Sequence, residues 1–161
     1  MLTAEGFING LERNATFVRN HLNTVTHAEA LLQPPYRGNC ILWIVGHVVC
    51  YRNYSLALVG QPPALPENLA ARFARDSAPV LADEPGLATL DTLMAAFEAS
   101  QTSLIEAART LTPAQAAEVV TQDVFTMPRG DLLVSRLRHE AYHVGQLEWL
   151  REMVLALRHS G

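Results

Sequence analysis

Arg138-His139-Glu140-Ala141-Tyr142-His143-Val144-Gly145-Gln146-Leu147 occupies the centre of the last apolar-periodic segment of this 161-residue chain. Leu133, Leu137, Leu147, Leu150 and Val154 fall on one stripe, which predicts a helix from Leu132 to about Leu157 with Asp131 as its N-cap. His139 and His143 stand i, i+4 on that helix, so their imidazoles share a face about 6 Å apart along the axis and can share one metal ion. The face continues through Gln146 and Leu150, which turns it towards the interior. Glu140 is rotated about 80° from the midline of the histidine pair. From there it can flank a metal as a base or as a hydrogen-bond acceptor.

Working outward, three more long segments carry helical periodicity. Phe7, Leu11, Ala15, Val18, Leu22 and Val25 define a first helix over residues 3–27, with Thr3 as N-cap. After the turn Gln33-Pro34-Pro35-Tyr36-Arg37-Gly38, Asn39 is expected to cap a second helix running to about Val59, where Gly60 supplies the stop. A third helix spans Thr89 to Thr110, with Leu90, Leu93, Phe97, Leu104 and Ala108 inward. Five of the nine prolines fall between Gln61 and Gly86. There the pattern allows only a short helix from Pro66-Glu67 through Arg75. Thr112-Pro113-Ala114-Gln115 reads as a cap and first turn, and Val119 to Gly130 as a short extended stretch. Without alternating strands long enough for a sheet, the chain is expected to be all-α. The predicted architecture is one domain over residues 1–161, a four-helix bundle with a long crossover between the second and third long helices.

The second long helix contributes His47, within Leu42-Trp43-Ile44-Val45-Gly46-His47-Val48-Val49-Cys50. A lone histidine among apolar neighbours is ordinarily a satisfied core residue. The pair on the last helix changes that reading, because three buried imidazoles need a partner for their lone pairs and a divalent cation supplies one. Gly46 would let another helix approach His47 closely. Three neutral ligands also leave coordination positions open, the layout of a catalytic site. Cys50 lies one turn beyond His47 but reads as a small buried hydrophobe. His21 borders the first stripe, and His27 and His159 read as terminal or surface residues.

Composition removes whole classes of function. All 12 basic residues are arginine and the net charge is −4, so lysine chemistry is excluded and the basic stripe of a nucleic-acid binder is missing. The longest apolar run, Cys40 to Cys50, is about half a bilayer span, and neither a membrane segment nor a signal peptide is expected. Two cysteines make no disulfide framework, and the chain reads as cytoplasmic. His139-Glu140-Ala141-Tyr142-His143 matches the H-E-x-x-H pattern of zinc proteases. Glu148 and Glu152 lie on the same helix and cannot fold back as a third ligand, which argues against a protease. A chain that is 49% hydrophobic and 17% charged has few charges to cover its surface, so a homodimer through a helix face is expected.

Two segments, Asn39-Cys40-Ile41-Leu42-Trp43-Ile44-Val45-Gly46-His47 and Arg138 to Leu147, resemble the DinB/YfiT superfamily of small metalloenzymes. The resemblance implies a four-helix bundle, commonly dimeric, with one histidine on the second helix and an H-x-x-x-H pair on the fourth. Carried to this chain, it implies one divalent metal ion (nickel, zinc, iron or manganese) held by His47, His139 and His143. It also implies a low-molecular-weight thiol of the bacillithiol or mycothiol type and an electrophile as substrates of an S-transferase or related hydrolase. Glu140 or Gln146 is the expected catalytic group beside the metal. The alternative from another class is a metal-binding or structural stress-related helical protein without turnover.

Overall fold

The computed structural model describes residues 3–160. They form α1 Ala4–Leu22, α2 His27–Ala30, α3 Ile41–Leu58, α4 Glu67–Ala70, α5 Leu90–Thr110, α6 Pro113–Ala117 and α7 Arg129–Ser160, with a 3₁₀ turn at Ala71–Phe73. Strands β1 Val119–Gln122 and β2 Phe125–Pro128 pair antiparallel, Gln122 opposite Phe125. The chain is predominantly helical, as its periodicity requires.

Local chemistry explains most of the boundaries. Thr3, Thr89 and Thr112 each accept a backbone N–H from the first turn of the helix that follows, and Thr112 with Gln115 completes a capping box. The first helix ends at Leu22 and does not reach residue 27, because Thr26 and Glu29 form a capping box that starts α2. At α3 the N-cap position belongs to Cys40, with no side-chain hydrogen bond, and not to Asn39. Gly60, at φ +71°, takes the left-handed conformation that ends this helix.

Within the stretch Val119 to Gly130, residues 119–128 form a hairpin, and its second strand runs directly into α7. Arg129, and not Leu132, is the first residue of that helix, which leaves Asp131 inside the first turn. The junction is held by Arg129, whose backbone N–H reaches the Glu118 carbonyl at 2.9 Å and whose guanidinium binds the Glu118 carboxylate at 2.6 Å.

Helices α1 and α3 each pack against both α5 and α7. Two clusters of buried side chains fill the space between them. Cys40 and the α3 residues 41–45 and 48–50 share one cluster with Leu90, Leu93 and Phe97 of α5 and with Val144, Leu147 and Leu150 of α7. Leu56 and Leu58 share the other with Leu104 and Ala108, and with Phe7 and Leu11 of α1. Every residue from Ile41 to Cys50 is buried, so α3 is the central helix; a helix that is apolar all round is stable only when enclosed. His47 lies within that enclosed half, opposite the middle of α7.

Candidate functional site

Three histidines meet where α3 crosses α7. Each of His47, His139 and His143 offers a ring nitrogen, and these nitrogens lie within 4.8 Å of one another. The ring centroids are 5.2 Å apart for His47 and His139, 4.8 Å for His47 and His143, and 4.5 Å for His139 and His143. The i, i+4 spacing on α7 accounts for the last distance. The other two depend on how α3 is set against α7.

The hydrogen bonds fix which nitrogens face the shared space. His47 Nδ1 lies 2.7 Å from the Phe73 carbonyl, which can only accept, so Nδ1 carries the proton and Nε2 keeps its lone pair. His143 Nδ1 donates to Gln146 Oε1 at 2.7 Å, and its Nε2 faces His139 Nε2 at 3.1 Å. Nδ1 of His139 is buried without a partner. Burial lowers the pKa of all three rings, to about 4 for His47 and His139, where the positive charges of the neighbouring rings add to the effect. At neutral pH the rings are uncharged. Three neutral imidazoles with their Nε2 atoms gathered and two Nδ1 atoms already anchored form a donor set that fits a divalent cation.

Aromatic rings brace this cluster. Trp43 stacks on His47 with centroids 4.6 Å apart, and Tyr51 stacks on His139 at 4.1 Å. Trp43, His47 and Tyr51 follow one another at i, i+4, i+8 on α3, a spacing visible in the sequence but not used in its reading. Gly46 performs a related service. A Cβ there would lie 2.3 Å from the Phe73 ring, so the close approach is made by the 3₁₀ turn and not by another long helix. That turn carries the carbonyl that orients His47.

The histidines open onto a cavity of about 900 Å³. Its walls include Trp43, Tyr51 and Tyr142, together with Arg75 and Ser77 of the proline-rich link and Arg136 of α7. The link therefore borders the site.

Glu140 has another place from the one expected. Both its carboxylate oxygens bind Arg52, Nε to Oε2 at 2.7 Å and Nη2 to Oε1 at 2.9 Å, and the residue is 5% exposed. The rotation of position 140 away from the histidine pair aims it at α3. Gln146 lies on the histidine face, where its Oε1 accepts from His143 Nδ1. Cys50 is buried and free, outside the histidine group. His27 is not a bare surface residue, since its Nδ1 accepts the Leu90 N–H at 3.2 Å. Arg52, Arg136 and the Phe73 carbonyl were missed, because their partners are distant in sequence.

The sequence profile of the DinB superfamily matches residues 11–147. A crystal structure described as the conserved protein of a locus from Enterococcus faecalis is similar in fold, with a TM-score of 0.74 at 20% identity. The match covers 97% of this chain and 99% of that one. Comparison with curated protein sequences finds no match. The profile covers both histidine-bearing segments and every long helix in whole or in part, so the chain belongs to the DinB superfamily.

Proposed function

We propose that this protein is an enzyme dependent on one divalent metal ion, and that it transfers a low-molecular-weight thiol to an electrophile. The observation that carries the reading is the convergence of His47, His139 and His143, with the Nδ1 atoms of His47 and His143 already anchored. His47, His139 and His143 would hold the ion; the resemblance to metal-binding relatives leaves nickel, zinc, iron and manganese as candidates. A divalent cation there supplies Lewis acidity, which favours the thiolate form of a thiol near neutral pH. The chain's own residues do the rest. Phe73 and Gln146 hold two ligand rings in orientation, and Trp43 and Tyr51 keep bulk water from two of their faces. Gln146 contacts His143 directly, whereas Glu140 acts at a distance by tying α7 to Arg52. In the overall reaction the thiol S–H bond is replaced by a bond from sulfur to the electrophile, and the proton and any leaving group are released. No serine or cysteine of the chain has to serve as nucleophile.

The same reading takes α1, α3, α5 and α7 as a four-helix bundle, with the link from Gly60 to Ala88 as its crossover. The way α3 and α5 share both core clusters supports it. Among the described residues no helix is long and apolar enough to cross a membrane. A cytoplasmic homodimer completes the proposal, supported by the exposure of Trp149 (76%) and Leu157 (51%) on α7.

Elemental analysis of the purified protein, with His47→Ala and His143→Ala beside it, tests the metal. One equivalent in the wild type and a loss in both variants is expected. The metal-loaded protein is then assayed for consumption of bacillithiol, mycothiol, glutathione and coenzyme A against a generic electrophile. A bound metal without thiol consumption above background would replace this reading by a non-catalytic metal-binding protein.

A further inference from the structure

We infer that Arg136 makes the histidine cavity a receptor for a carboxylate, so that the molecule bound beside the three histidines is a small organic acid. This deepens the function proposed above and rests on it for the claim that the acid is a substrate. Arg136 stands three residues before His139 on α7 and lines the same cavity. It is only 8% exposed, yet its guanidinium is incompletely partnered. Nη2 binds Gln122 Oε1 at 2.9 Å and Asp123 Oδ2 at 3.2 Å. Nε has no partner, and Nη1 makes no hydrogen bond among the described residues. Arg52, the other buried arginine, has all three nitrogens engaged. An enclosed guanidinium with donors left over is costly unless something binds it.

The surroundings select an anion over a neutral acceptor. The guanidinium carbon of Arg136 lies 5.0 Å from the Tyr51 ring centroid, 5.6 Å from that of Tyr54 and 5.7 Å from that of Phe125. These rings hold the charge in place without neutralising it. The carboxylate that does oppose it, Asp123, sits on the hairpin turn and is 51% exposed, so water shares it. Arg37 and Arg75 line the same cavity, whose acidic wall residue is Asp76, 3.6 Å from Arg75. Three arginines thus line the cavity with one acidic residue, and Asp123 reaches Arg136 from the hairpin turn. Nη2 is taken by Gln122 and Asp123, so the unpaired Nη1 hydrogens and the positive charge are what a carboxylate would meet, and 900 Å³ suits a metabolite-sized molecule and not a macromolecule.

The test uses benzoate and its uncharged isostere benzamide, titrated into the full-length metal-free protein and followed by calorimetry or by amide chemical shifts. Benzoate should bind about tenfold or more tightly than benzamide. Arg136→Met should bring the two within a factor of about three of each other. Asp123→Asn, at a turn residue whose φ of +55° asparagine tolerates, should instead tighten benzoate several-fold, so the test does not depend on a loss that misfolding could mimic. Equal binding of the two probes by the wild type, or a benzoate preference that survives Arg136→Met, would overturn the inference. The metal reading fails separately. A chain that takes up no metal but prefers benzoate through Arg136 retains the carboxylate site, and a chain that binds metal at the histidines without that preference does not.

Discussion

Arg52 and Glu140, the residue directly after His139, form a two-pronged ion pair between α3 and α7, with side chains 2% and 6% exposed. The Arg52 guanidinium also lies 3.7 Å from the Phe97 ring centroid and reaches the Phe97 carbonyl at 3.0 Å and Ser100 Oγ at 3.2 Å. The pair thus joins three long helices at the level where the histidines meet.

A buried charge that loses its partner is costly, whereas loss of both charges is much less so. Glu140→Leu is therefore expected to destabilise the protein by about 3 to 5 kcal/mol. Arg52→Met combined with Glu140→Leu should recover most of that loss. Urea denaturation of the two variants and the wild type measures it. A double variant no more stable than Glu140→Leu would show that the pair is not a unit.

Gly46→Ala places a methyl group against a ring that is itself fully buried. Overpacking of this kind costs about 1 to 3 kcal/mol. Because Phe73 must move, its carbonyl should also leave His47 Nδ1. A fall in thermal stability together with a changed His47 Nδ1 proton resonance is the expected result.

Gln146→Leu removes the acceptor that anchors His143 Nδ1 but no ligand atom. Metal affinity is expected to fall about 10- to 100-fold while the stoichiometry stays at one. Competition with a chromophoric chelator reads the difference. An unchanged affinity would leave Gln146 without a part in orienting the site.

The metal-free protein should lose stability as the pH falls from about 6.5 to about 4. His47 and His139 titrate near 6.5 when unfolded but near 4 when folded, so in this window the unfolded chain binds more protons. Above about 6.5 both states carry neutral rings and the dependence vanishes. Denaturation midpoints measured across this range, for the wild type and for His139→Ala, check the sign. The variant should show the shallower slope.

Much of the framework was legible because it rests on local rules. The stripes of α1, α5 and α7 and the caps Thr3 and Thr112 require only residue types at helical spacing, and each appeared at or near its expected place. The i, i+4 histidine pair was legible for the same reason. The hairpin at residues 119–128 was read no further than a short extended stretch, since each strand is four residues long and its alternation is too brief to stand out. The start of α7 was misplaced by three residues, because a partner across the chain, Glu118, sets it.

Residue types and their spacing suffice to make the chain predominantly helical, to put His139 and His143 on one helix face, and to set His47 in an apolar helix able to meet them. Those properties follow from periodicity and burial, which neighbouring residues impose on one another. That Glu140 turns to Arg52, and that Phe73 closes on Gly46 and orients His47, comes from the tertiary structure. It alone decided that Arg136 enters the cavity with donors to spare. Each of these contacts joins residues far apart in the chain, and which groups meet depends on how whole helices and the proline-rich link pack, a result that no local pattern encodes.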